Sequence, residues 1–472
     1  MNDPLKIIIM AAGKGARLTP YSKAIPKSLM KIGDKTLLEL NIEIVKNKFK
    51  RKDVHIVLGR YSDEIRDYLA KNNNFGLDIT FSVIDSRDIM KGLNYTLLQL
   101  RPHIESHFLF ILGDEIYFSS DHDKMLEAMR KNDDYDIYCM VKDSTSPSQI
   151  LKNYSVHVNG DAITSVKEKP SEITTPYAGL GTIACSSNIF PLLEEEMTRA
   201  HPRHFIDLLN QGIQKGLKAY NFKTSCDYYN INNKDDFFEA LRFYRARKIE
   251  SATISVVIPA YNEASTIGYV VRDMKRYVDD IIVMDNQSPD GTGRIAGEAG
   301  ATVYSRRYKG YGDAINQGLK EAKGDILVVT EADYTFQADD LSKFLEFLKD
   351  ADVVIGTRTN RSFIFEQANM GGLLRLGNIV FGKIISILWW NRKCRLSDVG
   401  CTYRALWRSS YEDIKDNLTT TGPEFSPEMM VETFNAFLRL VEIPVSYRDR
   451  VIGESKISIS MRHSAWVAAR ML

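Results

Sequence analysis

The sequence predicts an α/β protein built from two Rossmann-like α/β/α domains in tandem. Short apolar runs that end in glycine or an acidic residue alternate with helix-like segments, and this order is typical of a parallel sheet with helices on both faces. The alternation starts afresh near residue 254. At 472 residues the chain is also too long for one ordinary domain. We therefore predict one domain over residues 1–246 and a second over residues 252–472, joined by a short charged segment.

The composition limits the functions that the chain can have. A hydrophobic fraction of 44% and a charged fraction of 26% are typical of globular proteins with substantial cores. Lysine plus arginine total 62 against 61 acidic residues, so no basic field indicates a nucleic-acid partner. The 5 cysteines form no Cys-x-x-Cys pair, which argues against disulfides and zinc and fits a reducing compartment. Because no apolar signal region and no run of about 20 apolar residues occur, we expect a cytoplasmic protein.

The first predicted strand, Lys6–Met10, is followed by a loop rich in small residues and cations. Residues 11–17 read Ala-Ala-Gly-Lys-Gly-Ala-Arg, and Lys27 follows shortly after. Glycines let a backbone approach a ligand closely, and the N–H groups of such a loop bind phosphate. Lys14, Arg17 and Lys27 would supply the countercharge. A tight turn with solvated cations is the alternative, but Arg17 and Lys27 favour phosphate binding.

An aspartate follows the predicted strand Phe108–Leu112. Ligands of open α/β sheets bind outside the carboxyl ends of the strands, so we expect Asp114 to lie where the first loop points. A carboxylate at this place can hold Mg²⁺ against a triphosphate. A helix cap is the alternative for a strand-ending aspartate, and Asp114 alone does not decide between the two.

Two further polar segments occur later in the first half. Glu168 and Lys169 follow another predicted strand, either as a ligand-binding pair or as a charged turn. Asn230 and Asn232 precede a helix predicted over Phe237–Tyr244. They are either the ordinary capped start of that helix or the source of a second metal ligand.

Together, these motifs resemble the sugar-phosphate nucleotidyltransferase family over residues 5–245. The resemblance implies a nucleotide-binding domain that transfers a nucleotidyl group from a nucleoside triphosphate to a sugar 1-phosphate, with Mg²⁺ (or Mn²⁺) as cofactor. The attacking phosphate is already anionic, so the reaction needs no general base. The residues that the resemblance assigns to the triphosphate are Ala12, Gly13, Gly15, Arg17 and Lys27. It assigns Asp114, Asn230 and Asn232 to the metal. It assigns Glu168, Lys169 and Gly181 to the sugar phosphate.

Departures from the family pattern leave an alternative for this half. Ala16 stands where many members carry Thr or Ser, and Asn230 and Asn232 occupy the segment where many place a metal-binding Asp. A neutral amide oxygen coordinates Mg²⁺ less strongly than a carboxylate does. The alternative is therefore a catalytically silent module that senses a nucleotide-sugar and regulates the second half.

In the second half, acidic residues again follow predicted strands. Asp285 follows Ile281–Met284, and Glu331-Ala332-Asp333 follow Ile326–Thr330. Two acids separated by one residue at the end of a strand can both reach a divalent ion bound to a diphosphate. A solvated acidic turn is the alternative, and the repeated pattern of strand ends favours the metal.

This half resembles the family-two, A-type glycosyltransferases over residues 253–460, particularly polyprenyl-phosphate sugar transferases such as dolichyl-phosphate mannose synthase. The matching pieces are Pro259–Glu263, Asp285 with Ser288–Thr292, Glu331–Asp333, Gly356–Arg358, Asp398–Arg404 and Gly453–Lys456. The resemblance implies an NDP-sugar donor, whose nucleoside is held by Pro259, Tyr261, Glu263 and Asp285. It assigns the metal to Glu331 and Asp333, the latter also catalytic, and phosphate contacts to Arg358, Arg404 and Lys456. Glu331 replaces the usual first Asp, and Asn286 replaces an Asp after Asp285.

The acceptor prediction depends on residues 373–390, which are largely apolar and contain Arg375 and Lys383. At about 1.5 Å per residue this stretch reaches about 27 Å, which is marginal against a bilayer core of about 30 Å. An interfacial helix with terminal tryptophans fits better, and a buried core helix is the alternative. We therefore predict peripheral attachment at the cytoplasmic membrane face, with polyprenyl phosphate as the acceptor. A soluble or protein acceptor is the alternative, and Asp398 is the candidate base if the acceptor is a hydroxyl.

Overall fold

The computed structural model describes residues 5–13, 25–85, 87–144, 147–365, 372–390 and 395–450. Residue contacts divide the chain into two compact units, Met1–Ala240 and Leu241–Leu472. Each unit contains one large sheet with helices packed on it. The predicted fold class, with two α/β domains in tandem, is confirmed.

The strands described in the first unit form a nine-stranded sheet and two small two-stranded sheets. In chain order they are β1 (Leu5–Met10), β2 (Lys31–Ile32), β3 (Lys35–Thr36), β4 (Asp53–Leu58), β5 (Asp78–Val83), β6 (His107–Leu112), β7 (Glu115–Phe118), β8 (Ile137–Asp143), β9 (Tyr154–Asn159), β10 (Ala162–Glu168), β11 (Tyr177–Ser186), β12 (Ala219–Thr224) and β13 (Asp227–Asn230). The order across the large sheet is β5-β4-β1-β6-β11-β8-β12-β10-β9.

The large sheet of the first unit is parallel only in part. β1 lies parallel to β4 and β6, with Met10 opposite Val57 and Leu112. β11 is antiparallel to both β6 and β8. The prediction of a parallel sheet is therefore wrong for β11 and its neighbours. A strand that is buried on both faces has the same apolar sequence pattern whether it runs parallel or antiparallel to the next strand. The ends of β1 and β6 lie together, and Gly113 donates its N–H to the Met10 carbonyl at 2.9 Å.

The helices of the first unit cover both faces of its sheet. Alternate residues of β1 point to opposite faces, so Ile7 and Ile9 belong to one buried cluster whereas Ile8 belongs to the other. In chain order the helices are α1 (Leu37–Glu43), α2 (Ser62–Lys71), α3 (Gly92–Leu100), α4 (His122–Lys131), α5 (Pro147–Lys152), α6 (Phe190–Met197) and α7 (Phe205–Gln214).

The strands that the structure describes in the second unit form a seven-stranded sheet with the order β16-β15-β14-β17-β19-β18-β20. In chain order the strands are β14 (Ile254–Ala260), β15 (Asp280–Asp285), β16 (Thr302–Ser305), β17 (Ile326–Val329), β18 (Val353–Thr357), β19 (Arg404–Trp407) and β20 (Leu440–Pro444). β14 is parallel to β15 and β17, so the carboxyl ends of these three strands meet at one edge. β19 is antiparallel to β17 and β18.

Helices pack on both faces of this second sheet as well. The remaining helices are α8 (Lys234–Ile249), whose sequence contains the division between the units, α9 (Ile267–Met274), α10 (Thr292–Ala299), α11 (Tyr311–Glu321), α12 (Leu341–Leu348), α13 (Gly372–Leu388), α14 (Arg408–Ile414) and α15 (Phe425–Asn435).

Helix α8 extends further than the sequence predicts. The sequence predicts that this helix ends at Tyr244 and is followed by a charged junction, whereas the helix continues to Ile249. Basic residues three positions apart on its last turns pair with aspartates of the second unit. The ion pairs are Arg242–Asp350, Arg245–Asp352 and Lys248–Asp325. This spacing places all three cations on one helix face, which explains why a charged segment is helical here.

Helix α13 covers most of the apolar stretch that the sequence singled out at residues 373–390. Ile385 is buried at 6% exposure, whereas Leu376, Ile387 and Leu388 are more than half exposed. Among the residues that the structure describes, no helix has both the length and the apolar character needed to cross a bilayer.

His122, at the start of α4, is a buried histidine whose environment favours the neutral ring. Its Nδ1 lies 2.6 Å from Ser120 Oγ, and its Nε2 lies 3.0 Å from Thr182 Oγ1. Burial lowers the pKa of His122 from 6.5 to about 3. Between these values the unfolded chain binds a proton that the folded chain does not, so stability is lost as the pH falls below 6.5. We expect this group alone to lower the free energy of unfolding of the first unit by about 2 kcal/mol between pH 7.5 and pH 5.

Pulse proteolysis in urea, read on peptides of the first unit, measures this change. The His122→Gln variant has no titrating group at this position. Between pH 7.5 and pH 5, its free energy of unfolding should therefore fall by about 2 kcal/mol less than that of the wild type. All 4 tryptophans belong to the second unit, so their fluorescence follows that unit separately as an internal control. Equal pH dependence of the first unit in both proteins would contradict the assignment.

Candidate active sites

A cavity of about 410 Å³ lies beside the carboxyl end of β6 in the first unit. The cavity is lined by candidate residues from four separate segments of the sequence: Asp114, Glu168, Lys169, Gly181, Asn230 and Asn232. Ala12 and Gly13 lie at the same edge of the sheet, since β1 ends opposite β6. Gly15 and Arg17, which the sequence assigned to the triphosphate, lie outside the described residues.

Asp114 is held at the cavity by contacts from two directions. Its carboxylate accepts a hydrogen bond from Lys27 Nζ at 2.6 Å, and the lysine side chain is 10% exposed. Its carbonyl accepts the N–H of Ile231 at 2.9 Å, which brings the asparagine segment to the strand end. The pairing of β7 with β13 adds to this contact by placing Asn230 opposite Glu115.

The donor set around Asp114 fits a divalent cation. Asn230 donates its Nδ2 to Asn153 Oδ1 at 3.0 Å, so its Oδ1 faces away from Asn153. This buried Oδ1 has no hydrogen-bond partner in the described part of the chain. Asn232 is held through its N–H by Asp236 at 3.0 Å. A carboxylate with neutral amide oxygens is an oxygen donor set of the kind that Mg²⁺ takes, although the described residues contain no group of three acidic, histidine or cysteine ligands.

Glu115 is a residue of this cavity that the sequence reasoning missed. Its carboxylate is 2% exposed and accepts hydrogen bonds from Tyr117 OH at 2.5 Å, Tyr228 OH at 2.7 Å and Gly181 N at 2.8 Å. A side chain at position 181 would put its Cβ 2.6 Å from the Glu115 carboxyl carbon, so glycine is required there. Burial raises the pKa of Glu115 to about 7, and the two tyrosine hydroxyls oppose this rise.

Glu168 and Lys169 form another part of the cavity wall. Glu168 is half-buried, and burial raises its pKa, whereas the charges of Lys169 and His204 lower it. Lys169 has φ of 39°, a left-handed conformation that is rare for residues other than glycine. Its N–H donates to the Asn153 carbonyl at 3.0 Å, which stabilises the turn. This conformation turns the chain sharply where β10 ends, so the exposed lysine lies at the cavity rim.

In the second unit, three loops follow the adjacent ends of β14, β15 and β17. Each loop has a non-glycine residue at positive φ: Asn262 at 54°, Gln287 at 54° and Tyr334 at 64°. Backbone of this kind costs about 1–3 kcal/mol and is common at functional sites. The first two loops are tied together, because Asn262 N donates to Ser288 Oγ at 3.0 Å.

The residues that the family resemblance assigns to the nucleoside lie in these first two loops or at their strand ends. Asp285 is 2% exposed and accepts hydrogen bonds from Ser305 Oγ at 2.6 Å and Ser288 N at 3.1 Å. Glu263 donates its N–H to Thr292 Oγ1 at 2.8 Å. Tyr261 is 46% exposed, and Pro259 pairs with Met284 across the parallel strands.

Glu331 and Asp333 lie at the end of β17. Glu331 accepts a hydrogen bond from Thr402 Oγ1 at 2.6 Å, and Asp333 Oδ2 lies 2.8 Å from Arg450 Nη2 in an ion pair. Burial raises the pKa of Glu331 to about 7, and the charge of Asp333 adds to the rise. The two carboxylates are neighbours and one of them already pairs with a guanidinium, so this strand end fits a cation-binding site that could take a divalent ion.

Arg358 and Asp398 form a buried ion pair. Asp398 is fully buried and accepts hydrogen bonds from Arg358 N at 2.9 Å, Nε at 2.9 Å and Nη2 at 3.0 Å. Gly400 N donates to the same carboxylate at 3.2 Å. Behind the pair, Glu442 accepts the N–H groups of Ser397 at 2.9 Å and Asp398 at 2.8 Å. A carboxylate with four N–H donors is an anchor for Arg358, and this environment does not favour its use as a base.

Arg404 and Lys456 are the two other predicted phosphate contacts. Arg404 is 2% exposed, and its guanidinium donates to the Cys401 carbonyl at 2.6 Å and the Ser426 carbonyl at 3.3 Å. These contacts place it in the interior between β19 and α15, a position that does not favour the predicted phosphate contact. Lys456 lies outside the described residues.

The protein has two α/β units with acidic and polar side chains at one edge of each sheet, and the families that the two units match are transferases. The nucleotidyl transferase family model matches residues 6–247, and the glycosyl transferase family 2 model matches residues 255–414. The chain belongs to the nucleotidyl transferase family through its first half and to glycosyl transferase family 2 through its second half. Both resemblances that the sequence predicted are thereby confirmed.

Three relatives match between 43% and 55% of this chain. A dolichyl-phosphate hexose transferase of Haloferax volcanii is 31% identical over 208 residues, which are 43% of this chain and 86% of the relative. An undecaprenyl-phosphate mannosyltransferase of Micrococcus luteus is 29% identical over 228 residues, and the match covers 43% of this chain and 87% of the relative. The low-salt glycan biosynthesis hexosyltransferase Agl6 of Haloferax volcanii is 27% identical over 268 residues, and the chain spans 60% of its length.

Solved structures match about half of the chain. A UDP-glucose pyrophosphorylase complexed with UDP-glucose is 22% identical, covers 52% of this chain and 99% of its own, and has a TM-score of 0.45. The inositol-1-phosphate CTP transferase from T. maritima is 18% identical, with 52% and 98% covered and a TM-score of 0.43. Scores and identities this low support no inference about substrate.

Proposed function

We propose that the first unit transfers a nucleotidyl group from a nucleoside triphosphate to a sugar 1-phosphate and releases pyrophosphate. The observation that carries this proposal is the single cavity that contains Asp114, the asparagine pair, Glu168 and Lys169. Asp114 and the amide oxygens of Asn230 and Asn232 would hold a divalent cation, which when bound neutralises phosphate charge. An oxygen of the sugar phosphate attacks the α-phosphorus, and the bond to the leaving pyrophosphate breaks.

The residues of this unit need only position the reactants and offset the negative charge of the phosphates. Lys27 Nζ, next to Asp114, adds a positive charge beside the phosphates. The attacking oxygen is already anionic, so no residue has to remove a proton. The proposal therefore assigns no residue of this cavity to the role of a base.

Pyrophosphate release by the full chain tests the proposal. The four common nucleoside triphosphates are screened against a panel of sugar 1-phosphates with Mg²⁺. We expect release with at least one pair of substrates. Binding of a nucleotide-sugar with no release from any pair would overturn the proposal in favour of a silent sensing module.

For the second unit, we propose the transfer of a sugar from an NDP-sugar to polyprenyl phosphate. The carrying observation is the Arg358–Asp398 pair, because a carboxylate that accepts four N–H groups is poorly suited to act as the base that a hydroxyl acceptor would need. A phosphate acceptor is already anionic near neutral pH. Its oxygen attacks the anomeric carbon, and the bond to the nucleoside diphosphate breaks. The names of the two relatives with 86% and 87% coverage agree with a lipid phosphate acceptor.

Labelled donor and purified polyprenyl phosphate test this second proposal. The full chain is incubated with the donor and with lipid in detergent, and the products are partitioned between organic solvent and water. We expect label in the organic phase only when the lipid phosphate is present. Label that appears solely in a water-soluble or protein product would overturn the lipid assignment.

We further propose that α13 attaches the second unit to the cytoplasmic membrane face. The observation is a group of exposed apolar side chains at the end of α13 and directly after it: Ile387 at 66%, Leu388 at 69% and Trp390 at 64% exposure. Trp389 is different, because its Nε1 donates to Asn435 Oδ1 at 3.1 Å and the ring packs against the core.

We expect the triple variant Ile387→Ser, Leu388→Ser and Trp390→Ser to reduce liposome binding at least about tenfold, because each change removes apolar area from the interface. Flotation of the full chain with anionic liposomes measures the bound fraction. Phe347→Ser is the matched control, since Phe347 is an exposed apolar residue of the same unit, at 44%, outside α13. Flotation that is the same for the triple variant, the control and the wild type would contradict the attachment.

A further inference from the structure

Asn94, near the start of α3, has a buried acceptor atom that has no role in the nucleotidyl transfer described above. The side chain is 3% exposed, and its Nδ2 donates to the Arg203 carbonyl at 2.9 Å. Its buried Oδ1 has no hydrogen-bond partner among the residues described by the structure. Buried acceptors are rarely left without partners in native proteins. Because Asn94 lines the cavity of the first unit, a bound molecule is the natural source of the missing donor.

The orientation of the Asn94 amide follows from how Arg203 is held. Glu196, whose side chain is 1% exposed, accepts the N–H of Arg203 at 2.7 Å and its Nη2 at 2.8 Å. This fixes the Arg203 carbonyl, which can only accept a hydrogen bond. Nδ2 of Asn94 must therefore face Arg203, and Oδ1 must face another direction.

The surroundings of Asn94 indicate the chemistry of the donor. Its partner Arg203 lies just before α7, and Asp207 on that helix accepts the N–H of Glu168 at 3.5 Å, so Asn94 and Glu168 belong to the same part of the cavity wall. Both offer hydrogen-bond acceptors. Exposed cations stand at the rim of the cavity: Lys91, Lys152, Lys169 and Arg203. Acceptors in the wall and cations at the rim suit a ligand with hydroxyl groups on its body and a phosphate at one end.

We propose that Asn94 Oδ1 accepts a hydrogen bond from a ring hydroxyl of the sugar 1-phosphate, beside Glu168, and thereby makes the first unit select sugars with a hydroxyl at that position. This inference rests on the proposed nucleotidyl transfer. It adds a specificity-determining residue to that site and assigns Asn94 to the sugar and not to the nucleobase.

Deoxy and deoxyfluoro sugar 1-phosphates test the inference in the pyrophosphate-release assay with the full chain. We expect the wild type to have a kcat/KM about 10- to 100-fold lower for the analogue that lacks the recognised hydroxyl, because the buried acceptor is then unpaired. The deoxyfluoro analogue should be as poor as the deoxy analogue, since fluorine donates no hydrogen bond. Asn94→Ala should react with the parent sugar and with both analogues at similar kcat/KM.

The matched control is Asn221→Ala, a change at a buried asparagine whose Nδ2 donates to the Gly160 and Asp161 carbonyls and which does not line the cavity. This variant should keep the wild-type discrimination. Discrimination that survives in Asn94→Ala, or a change confined to the choice of nucleoside triphosphate, would overturn the inference. Both outcomes presuppose a wild type that releases pyrophosphate, so they are distinct from failure of the proposed function itself.

Discussion

Asp114→Asn is expected to lower pyrophosphate release by the full chain at least about 1,000-fold. The substitution removes the charged oxygen that would anchor the cation, and metal charge stabilisation contributes several kcal/mol to such transition states. It also removes the partner of Lys27, whose Nζ lies 2.6 Å from the carboxylate in a largely buried ion pair. The remaining donors are the neutral amides of Asn230 and Asn232, which hold Mg²⁺ less strongly.

A coupled assay for pyrophosphate measures this loss, and two controls accompany it. Asp78→Asn changes an exposed aspartate of the same unit and should leave the rate unchanged. The sugar transfer by the second unit, measured on the same Asp114→Asn protein, shows whether the chain as a whole is intact. An Asp114→Asn variant that keeps more than a tenth of the wild-type rate would contradict the placement of the cation.

Much of the first site could be predicted because parallel strands end at one edge of a sheet. This rule placed Asp114 next to the first loop without any knowledge of the tertiary structure. The observed register agrees with it, since Met10 lies opposite Leu112. The sites of Glu168 and Asn230 were found by resemblance and by their position beside predicted elements, and the structure adds that they line the same cavity.

Other features of the sites depend on contacts between distant segments, which single motifs do not encode. Glu115 follows Asp114 in sequence, but its burial arises from Tyr228 and Gly181, which lie on β13 and β11. Arg404 belongs to a matching motif, yet its guanidinium lies in the interior against backbone carbonyls. The sequence feature that could have indicated Glu115 is the run of two acidic residues after a glycine. No local sequence feature distinguishes an interior arginine such as Arg404 from a phosphate-binding one.

The buried Arg358–Asp398 pair yields the second large effect. Asp398→Ala is expected to lower the free energy of unfolding of the second unit by about 3–5 kcal/mol, because it leaves a buried guanidinium without its counter-ion. Sugar transfer should fall at least about 100-fold, because Arg358, stacked on Tyr447 at 5.3 Å, then loses the anchor that orients it. Tryptophan fluorescence during urea unfolding follows the second unit, and label in the lipid product follows transfer.

A double variant separates anchoring of Arg358 from general-base catalysis by Asp398. In Asp398→Asn with Arg358→Gln, two neutral amides replace the ion pair, so most of the lost unfolding free energy should return. Transfer should stay low, since the double variant lacks the Arg358 guanidinium that we propose contacts the phosphates. Asp398→Asn alone keeps Arg358 and removes the candidate base, so transfer to a phosphate acceptor should fall much less than in the double variant. If Asp398→Asn alone abolished transfer while its stability stayed near that of the wild type, Asp398 would be acting as a base, and the anionic acceptor would lose its main support.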